Sequence, residues 1–292
     1  MSIATSQQLT KYYDTFRAIA VTYTKEVVKS SGLQPQKVFL KCLGEQWPCV
    51  LYSSSFNEAK VLAPNRPGLM ERIAKANNLV SVRLCFRISD KSDPVLFFIS
   101  GRVSGFSPYA QSNGTLQFIL IQFTQRPPDD FVEILGRLLE ANVASTRRRE
   151  DRILLTPDAM RTIGLTRKES TIMIDSVPRK CILRDLSFSG AKVIIVGLAK
   201  FLVGKACKLR VDFEEPIEMV VISGKTVRYE DVEGRKDLTA IAINFDETLV
   251  PMSYKMHIND YLGQKKNQSE DQQAPEAPAA ADATALKADA SA

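Results

Sequence analysis

Between Ser145 and Leu155 the sequence reads STRRREDRILL, with Arg147, Arg148, Arg149 and Arg152 broken only by Glu150 and Asp151. Guanidinium groups are planar and permanently charged, and their fork of N–H donors matches phosphate oxygens or the O6/N7 edge of guanine. Such a run also fits a solvated surface or a loose polyanion patch. Downstream lies Asp185-Leu-Ser187-Phe-Ser-Gly190, which offers a carboxylate acceptor, a hydroxyl and a residue without Cβ in one short turn. The bland alternative for Asp185 and Ser187 is an Asx or Ser turn between strands.

Other chemistries find little support. The single histidine, His257, excludes metal sites and acid/base schemes that need two imidazoles. Five cysteines, Cys42, Cys49, Cys85, Cys181 and Cys207, contain no Cys-x-x-Cys and read as buried thiols. There is no Gly-rich phosphate loop with a Lys-Ser/Thr pair, so no catalytic residue, metal or cofactor is assigned and an enzyme is not expected. The net charge of +6 suits an acidic partner: a nucleotide, a nucleic acid or an acidic protein. No apolar run approaches the ~20 residues of a membrane span, and the charged N-terminus lacks a signal-peptide centre. The expected compartment is the cytoplasm.

The elements that must position these residues follow from periodicity. Leu9, Tyr12, Phe16, Ile19, Tyr23 and Val27 mark one face of an amphipathic helix ended by Gly32 and Pro35. From Val38 to Phe123 short apolar or alternating segments (VFLKCL, CVLYS, AKVLA, SVRLCFRI, VLFFISGRV, LQFILIQF) predict antiparallel strands. PPDDFVEILGRLLEANVAS predicts a second helix that stops before the arginines. The second half repeats this grammar with TIMID, RKCILRD, GAKVIIV, CKLRVDF, IEMVVISGKTVRY and LTAIAINF, then a helix from about Val250 to Leu262. Residues 264–292 lack Ile, Val and aromatic residues and are expected to be disordered.

The two halves are also alike in letters. CVLYSSSFNEAKVL (Cys49 to Leu62) and CILRDLSFSGAKVI (Cys181 to Ile194) are identical at seven of fourteen positions. One fold used twice is the simplest account. Where the second copy carries Asp185, Ser187 and Gly190, the first has Ser53, Ser55 and Glu58, and nothing in the first half matches the arginine run.

Arg148-x-x-x-Arg152 followed by Asp185-x-Ser187-x-x-Gly190 resembles the two-part motif of the PilZ domain, a receptor for the bacterial second messenger cyclic di-GMP. The resemblance extends over about Thr146 to Leu262. The layout is similar to flagellar-brake and spirochaetal PilZ proteins, whose N-terminal domain is a PilZ-like barrel without a ligand motif. It implies a mainly β chain of two antiparallel six-stranded-type β-barrels with flanking helices: residues 1–140, a first barrel without ligand motif, and 141–263, a PilZ domain binding cyclic di-GMP. In that reading Arg148 and Arg152 grip phosphate or guanine from a flexible segment. Asp185 accepts from guanine N–H groups, Ser187 donates, and Gly190 permits a positive φ or a close backbone approach. Arg147, directly before the motif, is an additional candidate that could meet a second stacked ligand molecule. Arg184 is left out of the site because strand alternation points it away from Asp185. The implied output is a changed interdomain arrangement read by a flagellar or other signalling protein in motility or virulence. The alternatives are a basic nucleic-acid-binding module and a PilZ adaptor that works without ligand.

Overall fold

The computed structural model describes residues 4–88, 92–197, 200–214 and 217–271. The first half runs α1 (Ser6–Phe16), β1 (Val21–Thr22), α2 (Lys25–Ser31), β2 (Phe39–Cys42), β3 (Glu45–Pro48), β4 (Val50–Ser54), β5 (Glu58–Pro64), α3 (Pro67–Lys75), β6 (Leu79–Phe86), β7 (Val95–Pro108), β8 (Leu116–Phe123) and α4 (Asp129–Arg147). The second runs β9 (Ile153–Leu154), α5 (Pro157–Ile163), β10 (Glu169–Ile174), β11 (Val177–Leu186), β12 (Gly190–Val196), β13 (Ala206–Glu214), β14 (Ile217–Val232), β15 (Arg235–Phe245) and α6 (Met252–Asp271).

The first sheet has the order β1-β4-β5-β8-β7-β6-β2-β3, and the second β10-β13-β14-β15-β12-β11-β9. The mainly-β architecture is as expected, but the two sheets close differently. Hairpin pairing of β10 with β11, from Glu169↔Ile182 to Ile174↔Val177, seals the second into a six-stranded barrel. In the first, the strand equivalent to β11 is split into β3 and β4 around Cys49, immediately after Pro48, which has no amide to donate. The first sheet therefore stays an open barrel, continuous through its chain.

The repeat reaches further upstream than identity of letters reveals. β1 pairs with β4 (Val21↔Ser54) as β9 pairs with β11 (Ile153↔Leu186), a constant offset of 132 residues. The same offset relates α2 to α5, with Thr24 and Thr156 capping their N-termini and Gly32 and Gly164 ending them at φ 72° and 70°. It also relates the bulges between Leu51 and Ser53 and between Leu183 and Asp185. Under it, Arg148 corresponds to Phe16 and Arg152 to Ala20.

Several expected elements change. The first predicted helix is two, separated by β1, because Ile19, Val21, Thr22 and Thr24, β-branched residues close together, favour an extended chain over another helical turn. The short helices α3 and α5 were not expected; Pro67 and Pro157 stand in their first turns, and Thr156-Pro157 before Gly164 was a legible start and stop. Helix α4, expected to stop before the arginines, continues into the run and ends at Arg147. Residues 264–271, expected to be disordered, extend α6; Gln, Lys and Glu are good helix formers and the first proline is Pro275. The rest of that tail lies outside the described residues. Among the described residues no helix is long and apolar enough to cross a membrane.

Two cores result. Leu40, Phe56, Val61, Leu84, Ile119 and Phe131 centre the first; Leu183, Phe188, Val193, Leu209, Phe213 and Ile241 centre the second. Helix α6 serves both: Tyr254, Ile258 and Leu262 belong to the second core, while Met252 and Met256 pack on the first. Polar contacts reinforce the junction. Arg137 on α4 pairs with Asp260 on α6 at 2.6 Å, and Lys29 on α2 pairs with Glu218 on β14 at 2.6 Å. Glu140 on α4 accepts from Tyr12 (2.9 Å) and Asn259 (3.4 Å). All five cysteines are free and buried, and burial pushes the thiols of Cys49 and Cys181 up to about 12.

His257 on α6 is packed. Its ring stacks on Phe213 with centroids 3.8 Å apart and planes 1° from parallel, and Nδ1 lies 3.2 Å from the carbonyl of Ile163, which requires Nδ1 to be the donor. Burial lowers its pKa, more than the opposing pull of Asp260 and Glu218. A histidine depressed in the folded state stabilises the fold above its unfolded value of about 6.5, and that contribution is lost as pH falls below it. Urea midpoints at pH 7.5 and 5.5 should therefore diverge more in the wild type than in His257→Phe. Equal divergence would show that the imidazole does not contribute.

Candidate functional site

The arginine segment is placed by two constraints. Its start is the end of α4, where Arg147 is exposed on the last turn and Arg148 closes the helix by donating its amide to the Ala144 carbonyl at 2.8 Å. Its end is β9, whose Ile153 and Leu154 pair with Leu186 and Asp185 of β11. Because Arg152 immediately precedes β9, this pairing brings its guanidinium to Asp185. Nη1 donates to Oδ1 at 2.7 Å. The carboxylate is largely buried, with 13% of its side chain exposed against 40% for Arg152.

Arg148 and Arg149 of the segment are also held by carboxylates. Arg148 Nε meets Asp151 Oδ2 at 3.0 Å. Arg149 bridges Glu150 at 3.3 Å and Glu247 at 2.6 Å, and Glu150 accepts from the Ser189 hydroxyl at 3.3 Å. Exposed pairs of this kind contribute only about 0–1 kcal/mol each, so they are readily exchanged for another anion.

The facing turn is built from Ser187 and Gly190. A bulge at Arg184, whose carbonyl accepts from the Leu155 amide at 3.0 Å, reorients β11 just before Asp185. The Ser187 amide donates to the Gly190 carbonyl at 2.8 Å, and the Gly190 amide donates to Ser187 Oγ at 3.1 Å. Ser187 is fully buried, and its hydroxyl lies 3.1 Å from the Gly190 carbonyl and 3.4 Å from Ser189 Oγ. In this conformation the Ser187 hydroxyl, expected to donate to a ligand, is engaged within its own turn. The hydroxyl builds the turn, and the first barrel repeats the device with Ser55, whose Oγ accepts from the amides of Asn57 and Glu58.

For Gly190 the close approach is what matters, because its φ is not left-handed. A Cβ there would lie 2.2 Å from the Ile243 carbonyl of β15. Glu58 occupies the corresponding register in the first barrel, pairing with Gln122 as Gly190 pairs with Asn244. With Ser53 for Asp185, Phe16 for Arg148 and Ala20 for Arg152, the first barrel keeps the turn and lacks every charged member of the constellation. Its Phe16 is buried in the core.

Sequence reasoning missed Tyr254. It is fully buried on α6 and donates its hydroxyl to the Ser187 carbonyl at 2.9 Å. Burial, and then the charge of Asp185, raise its pKa, so it stays a neutral donor. No sequence signal links positions so far apart. Among the described residues no cluster of His, Cys, Asp or Glu is arranged to hold a metal ion.

Comparison with known proteins follows the same division of the chain. Residues 7–142 match the PilZN3 domain family and residues 146–264 the PilZ domain family. A Treponema denticola protein named cyclic di-GMP binding protein is 44% identical over 262 residues, which cover 90% of this chain and 83% of that one. Among solved structures, the Borreliella burgdorferi PlzA protein in complex with c-di-GMP is 24% identical, covers 88% of this chain and 98% of its own, and superposes with a TM-score of 0.41. Escherichia coli YcgR in complex with c-di-GMP is 13% identical, with coverage of 89% and 97% and a TM-score of 0.29.

The packing at Gly190 is testable without any ligand. Gly190→Ala must push β12 from β15 or strain the turn, and overpacking of this kind costs about 1–3 kcal/mol. The expected result is a lower urea midpoint at unchanged slope. A wild-type midpoint would mean that the strands yield freely at this position.

Proposed function

The chain belongs to the PilZ-domain proteins of the two-domain type, and we propose that it is a receptor for cyclic di-GMP rather than an enzyme. The observation that carries this reading is the 2.7 Å pair of Arg152 with the largely buried Asp185, four residues after Arg148 at the helix end. Two arginine forks and one carboxylate beside a tight serine–glycine turn match the needs of a ligand with two phosphates and two guanines. The forks bond phosphate or guanine O6/N7, and Asp185 accepts from guanine N–H groups. The name of the Treponema denticola relative supports the same ligand.

In this reading Arg148, Arg152 and Asp185 contact the ligand, Arg147 stands at hand for a second stacked molecule, and Gly190 keeps the turn close to β15. Ser187 supports the turn with its buried hydroxyl. Ligand capture exchanges the carboxylate partners of Arg148 and Arg152 for phosphate and rearranges the segment between α4 and β9. The proposed output is a change in how the two barrels sit together, read by a protein partner in motility or virulence, in the cytoplasm.

Calorimetric titration of cyclic di-GMP into wild type and into Arg148→Ala/Arg152→Ala, with GTP and cyclic di-AMP as controls, tests the site. Losing two charge-assisted contacts at roughly 1.5–3 kcal/mol each should take a micromolar complex out of range. Arg152→Lys, which keeps the charge and loses the fork, should fall between the two. No heat from the wild type would sink the receptor reading. Binding that survives in the double variant would move the ligand elsewhere. Weak association with many nucleic-acid sequences, steeply dependent on salt, would favour the nucleic-acid alternative.

A further inference from the structure

We propose that Tyr254 is a positioning residue that ties the Asp185–Gly190 turn to the junction between the barrels, so that ligand capture is transmitted through α6 to α4; this rests on the cyclic di-GMP reading. Its hydroxyl reaches the Ser187 carbonyl, two residues from Asp185, and its ring packs against Phe213 and Phe245 at centroid distances of 6.5 and 5.8 Å. Both residues are fully buried, so bulk solvent does not compete for that bond. A shift of the turn must therefore move α6 or break the bond.

Helix α6 also reaches the first half of the molecule. One and a half turns beyond Tyr254, Asn259 reaches Glu140 and Asp260 pairs with Arg137, both on α4, and Glu140 also accepts from Tyr12 on α1. At the near end of α6, Met252 packs on the first core, and its amide donates to Glu26 of α2. The circuit then closes, because the C-terminus of α4 carries Arg147 and Arg148. The binding residues are thus anchored twice to the same junction, once by the chain leaving α4 and once by Tyr254 from α6. Loss of the tyrosine hydroxyl leaves the arginine anchor intact and cuts the second.

Hydrogen exchange of the full chain, with and without cyclic di-GMP, tests this alongside calorimetry. In the wild type the ligand should protect both the turn, residues 185–190, and the α4–α6 contact around residues 137–141 and 256–262. In Tyr254→Phe, which keeps the ring, binding should persist within about tenfold, the value of one hydrogen bond. Ligand-linked protection should remain at the turn and disappear at α4–α6. A tyrosine that served stability alone would lower protection equally with and without ligand, leaving the ligand-induced difference in place, and that result would overturn the proposal. Should Tyr254→Phe fail to fold, Asp260→Asn cuts the same path at its far end and should also confine protection to the barrel; wild-type spread in that variant counts against the coupling. Absence of binding in the wild type would instead remove the receptor reading and the coupling with it, an outcome that calorimetry separates from failure of the coupling alone.

Discussion

One helix that must satisfy two hydrophobic cores constrains the rest of this molecule. Tyr254, Ile258 and Leu262 fill the closed barrel, and Met252 and Met256 cover the open one from neighbouring stripes of the same α6. Neither barrel can rotate about that helix without uncovering apolar side chains, each of which contributes roughly 1.5–3 kcal/mol when buried. The polar contacts at its flank add direction more than energy. Burial opposes the charge of Arg137, and Asp260 more than restores it, so the guanidinium pKa is raised. A partly buried ion pair of this kind costs most when one partner is removed.

Beside that junction the arginine segment is the more readily adjusted part. It is short, held by carboxylates that exchange readily, and strung between the end of α4 and a two-residue strand. The two barrels then differ for a physical reason. Both have the strand bulge, the serine turn and the capped seven-residue helix, because these make the fold. Only the second has Arg148, Arg152 and Asp185, and the first fills the place of Arg148 with Phe16, an apolar side chain buried in its core.

Much of this was legible in the sequence because it is local. Alternating runs gave nearly every long strand, the seven identities around Cys49 and Cys181 gave the repeat, and the spacing of Arg148, Arg152, Asp185 and Gly190 gave the candidate constellation. What escaped depends on contacts between distant segments. The partnership of Phe16 with Arg148 becomes visible only through the pairing of β1 and β9, since almost no letters are shared there. Ser187 reads as a free hydroxyl until the turn closes over it, and Tyr254 reads as one apolar residue in a helix until its hydroxyl finds a carbonyl in another element. The split of the first helix had a local cause, the β-branched run after Phe16, which the regular spacing of apolar residues concealed.

The position of α6 at the end of the fold also bears on how the chain is made. Synthesis proceeds at about 5–20 residues per second, and N-terminal units generally fold first. The first barrel, however, receives Met252 and Met256 only after the entire second barrel has been translated. Its apolar seam therefore remains uncovered on the ribosome through the making of the other half, and α6 on emerging completes both cores in one step.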